Sequence, residues 1–170
     1  MQISNIFTHT PFWVWILLLF LILRGIKALS DREMTIQRLF LLPIIFLLWG
    51  GYGVIEEVDL PGFAILSMVV GLLLGAVVGW MMWCNTARLR QKTGTDLIIR
   101  PGSPLTLITI LISFVIKFIL VAILSINPDL RSSLDFNILF GLISGVIDGI
   151  FWGGTINLYL TSPINIDNIR

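Results

Sequence analysis

Residues 136–160 read FNILFGLISGVIDGIFWGGTINLYL, and two patterns in this one stretch decide what kind of chain it belongs to. The run is long enough to cross the hydrocarbon core of a bilayer, for which about 20 residues suffice. Gly141, Gly145, Gly149 and Gly153 recur at every fourth position and therefore share one helical face. Beside them runs a polar stripe of Asn137, Ser144, Asp148 and Thr155, also at helical spacing. Small faces let helix backbones approach closely where lipid offers no hydrophobic drive. The segment thus reads as a transmembrane helix with neighbours on its small and polar sides.

Asp148 lies near the middle of that run. An ionisable residue at such depth is by default a functional-site hypothesis with a partner to be named. The preceding apolar run, 105–126, supplies the partner in Lys117, at the end of its own stripe of Thr106, Thr109 and Ser113. At about 1.5 Å per residue, Lys117 lies roughly 18 Å from one end of its helix. Asp148 lies equally far from the opposite end of the next, antiparallel helix. In a core of about 30 Å the two differ in depth by roughly 6 Å, which a lysine stem covers. A lone Asp or Lys at a helix centre costs about 2.5–3.5 kcal/mol, so pairing is the expectation. The expected intramembrane polar centre is Lys117, Asp148, Ser113 and Ser144, serving either as glue between the two helices or as a titratable or ligand-binding centre.

Three further apolar runs, 12–26, 39–55 and 63–83, lie towards the N-terminus. Pro43 falls in the first turns of its run, where a helix tolerates it. The run 63–83 carries a second glycine ladder, Gly71, Gly75 and Gly79, so that a glycine-zipper style of helix packing is expected. The ladders can meet within one subunit or across a homo-oligomer, and packing within the subunit is the expectation. Across all 170 residues 56% are hydrophobic and 12% charged, against about 25% charged in a soluble domain, so a water-facing surface could hardly be covered. The fold class is all-α: a single membrane domain, 1–170, of about five transmembrane helices.

Charge in the connections sets orientation. The first loop, 27–38, with Arg24 at its edge, and the third, 84–104, hold Arg24, Lys27, Arg32, Arg38, Arg88, Arg90, Lys92 and Arg100, whereas Glu56-Glu57-Val58-Asp59 holds no basic residue. Positive loops stay in the cytoplasm, which puts the N-terminus outside and the C-terminus inside. Residues 1–10 carry no Lys or Arg ahead of the first run, so it does not read as a cleaved signal peptide and is expected to stay in the mature protein. Trp13 and Trp15 are expected as outer interface anchors, Trp80 and Trp83 as inner ones, with Trp49 and Trp152 packed deeper. Leu97-Ile98-Ile99 is β-prone, but its turn-rich surroundings, Thr93 to Asp96 and Arg100 to Pro104, favour a loop.

Several function classes recede. A net charge of +1 argues against nucleic-acid binding. The single cysteine, Cys84, excludes an internal disulfide and a cysteine metal cluster. His9, Glu56, Glu57, Asp59, Asp129 and Asp135 fall on the outer side, but no two have ligand spacing on a shared helix, so a solvated acidic rim is expected rather than a metal site. Ser113 and Lys117 are four apart, yet no oxyanion feature accompanies them. No catalytic residue and no cofactor is expected, and a non-enzymatic role is favoured.

The segments His9-Thr10-Pro11-Phe12-Trp13-Val14-Trp15, Arg24-Gly25-Ile26-Lys27-Ala28-Leu29, Arg38-Leu39-Phe40-Leu41-Leu42-Pro43 and Arg100-Pro101-Gly102-Ser103 resemble a family of small bacterial inner-membrane proteins known as a domain of unknown function. The resemblance spans about the whole chain. It implies a multi-pass bacterial inner-membrane protein and brings no activity with it. Arg100-Pro101-Gly102-Ser103, at the mouth of run 105–126, is expected to be a proline-glycine turn with a snorkelling arginine, the alternative being a place for a lipid phosphate or a cytoplasmic partner.

Two functions follow from these residues. One is a protein that moves or senses a small solute or ion through a polar seam between the last two helices. The other is a structural or accessory membrane subunit whose glycine faces dock a membrane partner or a second copy. The bilayer is the partner common to both.

Overall fold

The computed structural model describes residues 12–92, 95 and 97–162. His9, the N-terminal tail and the C-terminal tail lie outside the described residues, as do the side chains of Trp13, Trp15 and Arg24.

The described chain is mostly helical: α1 Phe12–Ile26, α2 Ile36–Leu39, α3 Leu41–Glu56, α4 Pro61–Trp83, α5 Pro104–Ile126 and α6 Leu134–Thr161. Pro61 and Pro104 open α4 and α5, where a missing N–H costs nothing because first-turn amides have no intrahelical acceptor. Ser133 caps α6, its hydroxyl accepting from Phe136 N. Asn127-Pro128 closes α5, since the residue before proline is pushed out of the helical region. Pro43 sits in the first turn of α3 and leaves the helix intact.

Three helices, α4, α5 and α6, are long and apolar enough to cross a membrane. The described part of α1 has 15 residues and α3 has 16, or about 22 and 24 Å at 1.5 Å per residue.

The helices associate as two pairs with α3 between them. The dominant packing is α4 on α6, and α1 lies against α5. Both glycine ladders are spent on the first pair. A Cβ on Gly71, Gly75 or Gly79 would overlap the backbone carbonyls of Leu142, Val146 or Ile150. One on Gly141, Gly145, Gly149 or Gly153 would overlap those of Ala64, Met68, Leu72 or Ala76. The two backbones interlock within one chain, each glycine row receiving the carbonyls of the other helix.

At one end of the bundle the two basic loops form a three-stranded antiparallel sheet, ordered β1 (Arg32–Met34), β3 (Ile98–Arg100), β2 (Arg90–Gln91). Arg32 faces Arg100, Met34 faces Ile98, and Arg90 faces Ile99. The loop expected at 97–99 is therefore a central strand. Its partner β1 lies far away in sequence, and a pairing of that kind leaves no local mark beyond the β-prone side chains. Met34, Leu89 and Ile98 turn inward onto Trp83 and Leu158, so the sheet caps the bundle. Trp83 is consequently 3% exposed and lies against Gly154, a core residue rather than the interface anchor expected, while Trp80 remains exposed.

At the other end, the α3–α4 and α5–α6 connections are tied together. Arg131 Nη2 pairs with Glu57 Oε2 at 2.9 Å, and Asp59 N donates to Arg131 O. Asn137, fully buried, accepts from Leu60 N at 3.2 Å and donates to Arg131 O at 2.8 Å. Successive connections thus alternate between the two ends of the bundle.

Candidate functional site

The polar residues of α6 are not one seam but three separate stations. Asn137 belongs to the turn end just described. Thr155 shares a cavity of about 10 Å³ with Arg100 and Thr106 near the sheet end, where Arg100 Nη2 donates to Thr106 Oγ1 at 3.2 Å. Asn157, two residues further on, accepts from Arg88 Nη1 at 3.1 Å, and Arg88 also reaches Thr161. Between these ends lies Asp148.

Lys117 Nζ stands 2.9 Å from Asp148 Oδ1. Lys117 is 4% exposed and Asp148 0%. The ammonium is also 3.5 Å from Phe46 O and 5.7 Å from the centroid of the Trp49 ring, within cation–π range. Both contacts come from α3, a helix that periodicity alone did not connect with the site. The reason α3 can approach is Gly50: a Cβ there would overlap Asp148 Oδ2 and come 2.7 Å from Lys117 Nζ. In the sequence the signal for this approach is the cluster Gly50, Gly51 and Gly53, an unspecific one because glycines without a four-residue ladder have many explanations.

The ion pair is therefore a three-helix junction. It joins the α1/α5 pair, through Lys117, to the α4/α6 pair, through Asp148, with α3 closing one side. Helices α5 and α6 have little backbone contact of their own, so this side-chain bridge is their main polar link.

Apolar clusters seal both flanks. Towards the sheet, Leu21, Leu42, Phe46, Ile110, Phe114, Ile147 and Phe151 pack together, with the Phe46 and Phe151 rings stacked at 4.4 Å. Towards the turn end, Val54, Met68, Leu120, Leu124 and Phe140 form a second cluster. Charges confined in such low-dielectric surroundings attract strongly, yet each has lost its hydration.

Within the protein, compensation for that loss comes chiefly from the pair itself. Among the described residues, no protein donor besides Lys117 is bonded to either Asp148 oxygen. A buried ion pair is a good structural bond only when further hydrogen bonds satisfy its remaining lone pairs.

Ser113 and Ser144 fall on opposite sides of this pair. Ser144 lines a cavity of about 20 Å³ with Trp49, Gly50, Gly53 and Lys117, a space that accommodates one water molecule. Ser113 instead lines a wide apolar groove between α5 and α6. Glu57 is paired with Arg131, and among the described residues no three of His, Cys, Asp or Glu are grouped as a metal site would require.

A family model described as a family of unknown function (DUF6622) matches residues 1–162. No curated protein and no solved structure matches the chain.

Proposed function

We propose a function from the geometry alone, since the chain belongs to DUF6622, a family of unknown function: it is a multi-pass sensor of a bacterial inner membrane, in which the Lys117–Asp148 pair is a latch between two helix pairs. Five crossings, with the N-terminus outside and the C-terminus cytoplasmic, complete the reading. Its support is the gathering of both basic loops at the sheet end, taken with the preference of positive loops for the cytoplasm.

The observation that carries the sensor reading is a wholly buried carboxylate whose charged partner comes from another helix pair. Asp148 is wholly buried with Lys117 as its charged partner, so neutralising either one removes the polar link between α5 and α6 and leaves only their apolar contacts. The adjoining cavity of about 20 Å³ admits a proton or an ion no larger than water. The apolar clusters on both flanks favour sensing over conduction. The alternative, docking a partner or a second copy through the glycine faces, loses its surface because those faces are engaged within the chain.

Spin labels on α5 and α6 at the lipid-exposed positions Ile119 and Leu139, in a Cys84→Ser background in proteoliposomes, test the latch. Their separation is expected to change when the pH is stepped, and to stay constant in the folded double variant Lys117→Met/Asp148→Asn. Flux of protons or small ions that requires Asp148 would replace sensing with transport. An unchanging separation in the parent protein would reduce the pair to glue.

A further inference from the structure

The cavity beside the ion pair extends from it in one direction only. Gly53 in its wall is one turn past Gly50 on α3, Leu120 and Val121 are one turn past Lys117 on α5, and Ser144 and Phe140 stand one and two turns before Asp148 on α6. All of these steps lead towards the turn end, where α3 and α5 finish and α6 begins. Trp49 and Gly50 complete the wall near the charges.

The sheet side of the pair is built differently. There the Phe46 and Phe151 rings are stacked at 4.4 Å, with Leu42, Ile110 and Ile147 packed about them. The next described cavity in that direction, of about 10 Å³, is lined by Phe151 but by neither Lys117 nor Asp148. The groove that holds Ser113 also includes neither charge. Its walls are mainly aliphatic side chains of α5 and α6, and apolar space of that kind stays dry.

A buried water requires about 10–15 Å³ and roughly two to four polar partners. The cavity at the pair has about 20 Å³, with Lys117 and Ser144 in its wall. Between it and the turn end stands Phe140, whose ring lies against Gly53, where a Cβ would be 3.5 Å from its Cζ. Asn137, less than one turn nearer that end, already belongs to the polar network of the turns. We propose that the cavity is a water site joining Lys117 to Ser144, and that the ion pair exchanges water and protons with the turn end alone, past Phe140. Combined with the latch reading, on which this consequence rests, a proton reaching the pair leaves by the way it came. The pair then reports the pH at the turn end and conducts nothing across the membrane. Its charge partners are confined to each other: α3 meets it with Trp49, Gly50 and the Phe46 carbonyl, and residues 12–23 and 61–83 contain no titratable side chain.

Radiolytic hydroxyl-radical labelling of the full chain in phosphatidylcholine nanodiscs tests the proposal, because radicals formed from a bound water oxidise the side chains beside it. Phe140, Phe46 and Phe151 are 3%, 0% and 5% exposed, so contact with bulk solvent does not separate these three rings. Label is expected at Phe140 and not at Phe46 or Phe151. Ser144→Val, which fills the cavity and removes its hydroxyl, is expected to lose the label at Phe140. The comparison of the three rings in the parent chain stands even where that variant fails to fold. Label at Phe46 or Phe151 equal to that at Phe140 would overturn the proposal, and so would label at none of the three. Label at Phe140 alone, in a protein whose α5–α6 spin-label separation ignores pH, would strike the latch reading and leave the water site standing.

Discussion

Gly50 is in contact with the charge on Asp148: a Cβ at this position of α3 would overlap Asp148 Oδ2 and approach Lys117 Nζ to 2.7 Å. The neighbouring Gly51 has open space where its Cβ would be. Gly50→Ala is therefore expected to destabilise the protein by about 1–3 kcal/mol, the usual cost of overpacking a filled interior. Gly51→Ala should be neutral or stabilising by roughly 0.5–1 kcal/mol, as helical glycine replaced by alanine usually is. Thermal unfolding of the two variants in the same detergent compares them, and equal effects would show that α3 does not press on the ion pair.

Removing one partner of the pair is expected to cost more than removing both. Lys117→Met leaves Asp148 uncompensated and should destabilise by about 3–5 kcal/mol. Lys117→Met/Asp148→Asn should recover much of that loss, because no buried charge remains. A double-mutant cycle on folding stability measures the coupling; additive losses would mean that the 2.9 Å approach contributes no interaction energy.

Along the α4–α6 interface, substitution effects should follow the backbone contacts. Gly75→Ala and Gly153→Ala place a methyl group against Val146 and Ala76 carbonyls respectively, and each is expected to cost about 1–3 kcal/mol by forcing the helices apart. Gly62, on the same helix as Gly75, faces open space, and Gly62→Ala should have little effect. Disulfide trapping between cysteines placed on α4 and α6 reads the separation directly and should slow in the first two variants only.

Two polar contacts at opposite ends of the bundle should differ sharply in weight. Asn137→Ala leaves Leu60 N without its acceptor and takes from Arg131 O one of its two donors, an expected loss of about 1–3 kcal/mol. Lys92→Ala breaks the 2.7 Å pair with Glu33, whose side chains are 42% and 47% exposed, and should change stability by less than about 1 kcal/mol. Denaturation midpoints of the two variants provide the comparison.

Much of the helical framework was legible in the sequence because apolar run length and helical periodicity are local properties. The runs 63–83 and 105–126 lie close to α4 and α5 as observed. Lys117 and Asp148 were conspicuous for a similar reason, since a charge in an apolar run is costly wherever the run finally packs. The contribution of Gly50 and Trp49 was not legible, because it depends on which face α3 turns towards α5 and α6. Nor was the burial of Trp83, which follows from the sheet closing over it.

By itself, then, the sequence determined a helical, membrane-compatible chain, two glycine-lined faces and two charges at similar depth. These are consequences of spacing along one strand of backbone and of the cost of polar groups in hydrocarbon. Only the tertiary structure decided that the glycine rows interlock with each other, that β1 and β3 pair across residues 35–97, and that one ion pair bridges two helix pairs beside an apolar groove. Each of those depends on contacts between segments distant in the chain, and such contacts are chosen by the packing of all the helices together rather than by any one of them.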